Sequence, residues 1–125
     1  QIEIDAIDND RSVLCTPNLM GQAMKNLVEN AIKYSPEQTK VTISNSEEAA
    51  HINVHVSDEG PGIEDKHMPK LFQRFYRIDT ARSRQMGGTG LGLAIVKHIA
   101  QSHGGQATVT STLGKGTQFT ITIPK

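Results

Sequence analysis

Asn26, Asn30 and Lys33 stand at i, i+4 and i+7 in the chain. On a helix turning by about 100° per residue they fall within roughly 60° of one another. Two side-chain amides offer neutral oxygens of the kind a hard divalent cation such as Mg2+ accepts. That ion keeps waters and takes phosphate oxygens rather than a full protein cage. Lys33, and Arg77 further along, could balance phosphate charge. The plainer alternative is that both asparagines are solvated helix positions. Asn is, however, a poor helix former. Met20, Met24, Leu27, Val28 and Ala31 fill the neighbouring arc, so the polar stripe lies beside the apolar face of a core helix.

Three other stretches carry chemistry. Gly87-Gly88-Thr89-Gly90-Leu91-Gly92-Leu93 opens a second apolar helix. Glycines there let backbone N–H groups approach an anion. The first helical turn adds unpaired donors and the positive end of the dipole, which together form a phosphate-binding device. A flexible hinge would not require glycines on both sides of the helix boundary. The P-loop pattern is absent, since Gly116 rather than Ser or Thr follows Gly114-Lys115. The dinucleotide pattern fails as well, because an arginine-rich loop precedes the glycines instead of a strand. Asp58 ends a strand ahead of Gly60, Pro61 and Gly62. Its carboxylate could accept a hydrogen bond from an exocyclic amine while the glycines let a flat ring lie on backbone; good turn chemistry is the equal alternative. Thr117, after Gly116, could add a hydroxyl.

The elements that must position these residues follow from periodicity. Gln1 to Ile7 alternates as a strand, Asp8-Asn9-Asp10 is a turn, and Ser12 to Cys15 reads as a second short strand. Thr16 caps a helix from about Pro17 to Tyr34, which stops at Ser35-Pro36. Lys40 to Ser44 and Ala50 to Ser57 alternate about a polar connection at Asn45 to Glu48. His51 and His55 share the polar face of the second strand and read as exposed histidines rather than a metal pair. A short helix is expected from Asp65 to Phe75. Its Phe72 and Phe75 are either core or a docking patch. Arg77 to Gly90 has no period and reads as a functional loop. Leu91 to His103 is a helix closed by Gly104-Gly105, and Gln106 to Thr112 and Gln118 to Ile123 are strands about the turn Leu113 to Gly116. The expected fold is an α/β (α+β) two-layer sandwich: a mixed, mostly antiparallel five-stranded sheet with about three helices on one face.

The 125 residues suit one domain, and Gln1 in place of Met marks the chain as a fragment or processed piece. Thirteen basic and thirteen acidic side chains balance, so charge gives no argument for nucleic acid or an anionic membrane. Cys15 is the only cysteine, which excludes an internal disulfide and fits a reducing compartment. No apolar run reaches the roughly 18 residues that span a bilayer.

Taken in order, the motifs resemble those of histidine kinases. Asn26-x-x-x-Asn30-Ala31-x-Lys33-Tyr34 resembles their N box, and Asp58-x-Gly60-x-Gly62-Ile63 their first glycine box. Leu71-Phe72-x-x-Phe75-Tyr76-Arg77 is similar to their F box, Gly88-Thr89-Gly90-Leu91-Gly92-Leu93 to their second glycine box, and Gly114-x-Gly116-Thr117 to the last. Each motif is weak alone; together they cover about Ser12 to Pro124.

The resemblance implies the catalytic, ATP-binding domain of a two-component sensor histidine kinase, with the Bergerat sandwich shared with DNA gyrase and mismatch-repair ATPases. By position, Asp58 would bond the adenine amine with Thr117 assisting, Tyr34 would pack near the adenine, and Gly60, Gly62, Ile63 and Tyr76 would belong to the same nucleotide site. Asn30 and Asn26 would hold Mg2+, and Lys33 and Arg77 would contact the phosphates. The backbone of Gly88, Thr89, Gly90, Leu91, Gly92 and Leu93 would embrace the triphosphate, with about Ile78 to Gly90 as lid. The resemblance gives Phe72 and Phe75 a shared role, as core beneath the short helix and as a patch engaging the lid or the dimerisation helices. His51, His55, His67, His98 and His103 all lack the family's phosphoacceptor setting, which puts the acceptor in an upstream dimerisation domain. A monomeric cytoplasmic domain, a homodimeric membrane-anchored parent and a response regulator as further partner are implied. In gyrase-like relatives a Glu at the position matching Asn26 activates water, and Asn cannot take a proton. An ATP-hydrolysing conformational module or a non-catalytic nucleotide-binding module are the alternatives.

Overall fold

Helix α1 (Pro17–Tyr34) carries the polar stripe and the largest helical share of the core. In the computed structural model, which describes residues 3–6, 17–34, 39–76 and 91–124, Ala23, Leu27 and Ala31 are fully enclosed. Their i, i+4, i+8 spacing forms one narrow apolar line, with Met20, Met24 and Val28 packed at its edges. The chain order is β1 (Glu3–Ala6), α1, β2 (Lys40–Glu47), β3 (His51–Asp58), a 3-10 helix (Asp65–Lys70), α2 (Gly92–Ser102), β4 (Gln106–Thr112) and β5 (Gly116–Pro124).

The strands form one sheet ordered β1-β2-β3-β5-β4. β1 pairs parallel to β2, with Ile4 beside Val41, while the other three pairings are antiparallel. Parallel neighbours need a long crossover, and α1 supplies it. Alternation along β2, β3 and β5 turns Val41, Val56, Phe119, Ile121 and Ile123 toward one face, where they meet α1 and the Val96, Ile99 and Ala100 side of α2. Each such large side chain contributes roughly 1.5–3 kcal/mol relative to exposure. The two-layer, mixed and mostly antiparallel five-stranded sandwich is therefore as expected, with two α-helices and one 3-10 helix among the described residues.

The other sheet face is polar and tightly bonded. Asn53, buried in β3, donates through Nδ2 to Ser46 Oγ (3.3 Å) and Glu48 Oε1 (3.1 Å), and its Oδ1 accepts from Thr122 Oγ1 (2.7 Å). His55 sits between Ser46 Oγ and Thr120 Oγ1, each at 2.9 Å. The expectation of exposed histidines is corrected here: His51 and His55 are half-buried, and His55 is a member of this network. A solvated sheet face permits polar residues, but cross-strand neighbours this close bond to one another first. No cluster of three or more His, Cys, Asp or Glu side chains placed to hold a metal ion occurs among the described residues.

Two elements differ clearly from expectation. β2 continues through Asn45, Ser46 and Glu47, because these residues pair with Val54, Asn53 and Ile52 rather than turning. The short helix expected from Asp65 to Phe75 is a 3-10 helix ending at Lys70, with Pro69 inside it; proline brings no N–H to extend an α-helical ladder. Beyond it Leu71 is buried and Phe72 packs edge-on against Phe119, with centroids 6.0 Å apart. Phe75, by contrast, is 66% exposed and has φ +65°, a left-handed backbone rare for an aromatic. α2 ends as expected: Gly104 (φ +77°) and Gly105 donate to the carbonyls of Gln101 and Ala100 in a Schellman arrangement. The Ser12–Cys15 strand, the Thr16 cap, the Ser35-Pro36 stop and the loop from Arg77 to Gly90 fall outside the described residues. No described helix is long and apolar enough to cross a membrane.

Candidate functional site

β3 and β5 end side by side at Asp58 and Thr117, which are register partners. Both share the parity of the core residues of their strands, so both side chains stand on the helix-covered face. Thr117 is only 6% exposed. Asp58 Oδ1 accepts the Gly60 N–H at 2.9 Å, and the Thr117 backbone N–H also bonds the carboxylate. Burial pushes the Asp58 carboxyl above the usual carboxylate range, while those two backbone donors hold part of the rise back. A half-buried acceptor is thus held in one orientation at the end of a strand.

The loop after Asp58 is fastened to the β4–β5 turn. Pro61 O accepts from Gly114 N (2.8 Å), and Ile63 N donates to Ser111 Oγ (2.8 Å). Two glycines make this approach possible. A Cβ on Gly62 (φ +83°) would lie 2.5 Å from Thr112 O, and one on Gly116 (φ +146°) would lie 2.0 Å from Asp58 O. The bare face of Gly62 is therefore turned to the hairpin, which takes the space a side chain would fill.

Along α1, Asn26, Asn30 and Lys33 are all half-buried, while Leu27 and Ala31 between them are enclosed. The Nδ2 atom of Asn26 is buried and has no hydrogen-bond partner. Such an atom costs about 1–3 kcal/mol. An orphaned amide in a stripe of amides fits a site whose partner arrives with a ligand. Asn side chains also suit Mg2+ by donor type. α1 packs against α2. There Leu91 precedes the helix, and the first helical bond, from Ile95 N to Leu91 O, is 2.9 Å. A Cβ on Gly92 would meet nothing within 4 Å, so the space beside this glycine is open. Tyr76 places its hydroxyl on the Nδ1 atom of His67, with the two rings 5.9 Å apart. Arg77, Gly88, Thr89 and Gly90 fall outside the described residues, and α1 carries Tyr34 at its last position.

The structure thus gathers Asp58, Gly60, Gly62, Ile63 and Thr117 into one corner, and it sets Asn26, Asn30 and Lys33 on the helix packed beside that sheet. One residue escaped sequence reasoning. Ser111, the register partner of Thr117, touches Ile63, Gly116 and Thr117. The hairpin about Leu113–Gly116 carried the signal, because antiparallel pairing across that turn sets residue 111 opposite 117.

The chain belongs to the histidine kinase-, DNA gyrase B- and HSP90-like ATPase family, whose model matches residues 15–125. Its relatives are sensor kinases. It is 48% identical over 113 residues to the sensor-like histidine kinase SenX3 of Mycolicibacterium smegmatis, covering 90% of this chain and 29% of that protein. It is 47% identical over 119 residues to the sensor histidine kinase WalK of Bacillus subtilis, covering 94% of this chain and 20% of that one. Among solved structures it resembles the mycobacterial sensor histidine kinase MprB (TM-score 0.87, 33% identity, 98% of this chain and 83% of that one). It also resembles full-length ShkA in complex with AMPPNP (TM-score 0.84, 28% identity, 98% and 25%). The chain spans less than a third of the SenX3 and WalK sequences, and corresponds to their histidine kinase ATPase domain.

Proposed function

We propose that this domain binds Mg2+·ATP and presents the γ-phosphate to a histidine on a separate dimerisation domain of the same protein, for onward transfer to a response regulator. The observation that supports the proposal is the Asp58–Thr117 corner: a half-buried carboxylate, held by backbone N–H groups, is an acceptor of the kind an adenine amine would use. Gly60, Ile63, Tyr34 and Tyr76 line the base, and Gly62 lets its loop close on the hairpin. Asn30 and Asn26 hold the metal, which when bound neutralises phosphate charge. Lys33 and Arg77 contact the phosphates. The segment Gly88, Thr89, Gly90, Leu91, Gly92 and Leu93 supplies backbone donors at the start of α2. With the nucleophile on another domain, these residues contribute orientation and charge stabilisation. Asn26 cannot accept a proton from water, which favours transfer over hydrolysis. The parent protein is a homodimeric, membrane-anchored sensor with this domain monomeric on the cytoplasmic side.

Titration with ATP and a non-hydrolysable analogue, with and without Mg2+, tests the binding. Incubation with a supplied acceptor domain tests the transfer. Asn30→Ala and Asn30→Asp abolish phosphorylation of the acceptor while the domain stays folded; full activity in either variant would overturn the metal assignment.

A further inference from the structure

Three contacts converge on one hydroxyl. Ile63 N–H donates to Ser111 Oγ at 2.8 Å, Gly116 O lies 3.0 Å from the same oxygen, and Thr117 Oγ1 lies 2.9 Å from it. A serine hydroxyl has one proton to give and two lone pairs to receive with. The Ile63 amide can only donate, so it occupies one lone pair. The Gly116 carbonyl can only accept, so it takes the single proton. What remains on Ser111 is one lone pair, and Thr117 must therefore donate to it. Any other assignment leaves one of the three contacts unmade, in a place where Thr117 is 6% exposed and water cannot easily compensate.

From this count we infer that Ser111 is a positioning residue that sets the hydrogen-bonding sense of Thr117, and through it the choice of base. With its proton spent on Ser111, Thr117 offers only lone pairs to a ligand. Its register partner Asp58, ionised, also offers only lone pairs. Two acceptors side by side suit the N–H groups of a 6-amino purine and oppose the carbonyl oxygen of a 6-keto purine. The selectivity rests on the adenine reading of the Asp58 corner. It places the discriminating element one residue deeper, on a side chain that need not touch the nucleotide.

Removing the Ser111 hydroxyl frees the Thr117 proton to turn toward the ligand. Thr117 can then donate to a keto oxygen, so the penalty against the wrong base shrinks. The experiment compares Kd for ATP and for inosine triphosphate, which carries a carbonyl in place of the amine. The wild type binds ATP the tighter of the two. Ser111→Ala narrows the ratio by about fivefold, the worth of one neutral hydrogen bond. Ser111→Thr, which keeps the hydroxyl, retains the ratio. On a Thr117→Val background, Ser111→Ala changes the ratio no further. A Ser111 that merely ties the loop to the hairpin would weaken both nucleotides equally, and an unchanged ratio in folded Ser111→Ala overturns the inference. So does a narrowing that persists undiminished on the Thr117→Val background. If Ser111→Ala does not fold, Ser111→Thr and Thr117→Val decide: retention in the first with narrowing in the second supports the inference, and any other pattern overturns it. A wild type that binds both nucleotides equally refutes the adenine reading itself, and with it this one.

Discussion

Gly116 is the point where two parts of the site touch, and replacing it with Ala measures how closely they must. The new Cβ would come 2.0 Å from Asp58 O and 3.2 Å from Glu59 Cα. Both neighbours are backbone, so no side chain can swing away. Two penalties combine. Holding Ala at φ +146° strains the backbone by roughly 1–3 kcal/mol. Pushing β3 aside adds an overpacking cost of roughly 1–3 kcal/mol. The expected loss of about 2–6 kcal/mol is a large part of a stability on the order of 5–15 kcal/mol. Two internal controls separate the terms. Gly114 also has positive φ (+79°) but meets nothing within 4 Å, so Gly114→Ala costs only about 1–2 kcal/mol. Gly21 lies within α1 with open space around its Cβ direction, and Gly21→Ala stabilises by roughly 0.5–1 kcal/mol. Urea denaturation of the three variants ranks them, with constant m-values confirming that the native state is the one perturbed. A Gly116→Ala variant no less stable than Gly114→Ala would refute the claim that the hairpin and the Asp58 strand end are in obligatory contact.

Further outcomes follow from the buried polar groups. Asn26→Leu removes an amide whose Nδ2 has no partner, so it stabilises the nucleotide-free domain by about 1–3 kcal/mol while weakening Mg2+·ATP binding; thermal melts and titration together check this, and a destabilised variant with intact binding counts against it. Burial raises the Asp58 carboxyl above its usual range, so the folded state takes up the proton before the unfolded state does. The wild type therefore gains stability relative to Asp58→Asn as pH falls through the folded carboxyl's pKa, while its ATP affinity drops over the same interval. Parallel pH profiles of wild type and Asp58→Asn, in melting and in titration, would contradict that assignment.

Much of this domain was legible along the chain because its signals are local. The Pro17–Tyr34 helix announced itself by apolar spacing and a proline at each end. The alternation of Ile52 and Val56 in β3, and of Phe119, Ile121 and Ile123 in β5, declared which side chains share a face. The Asn26–Asn30 spacing and the glycines near Asp58 and before α2 suggested the chemistry for the same reason: period and turn geometry act within a few residues. What a face meets is another matter. Periodicity could place His55 on a polar face but could not show Ser46 and Thr120 closing on it from two neighbouring strands. It grouped Phe72 with Phe75, although only Phe72 packs onto Phe119 and Phe75 stands exposed with a left-handed backbone. The burial of the Asn26 amide without a partner likewise depends on tertiary packing, and the bonding of Ser111 is completed by Ile63, 48 residues away. Motif and period thus determined which residues could do the chemistry. The tertiary structure alone decided which of their hydrogen-bonding groups are already spent on the protein and which remain for a ligand, because that depends on distances between strands and loops that no local pattern encodes.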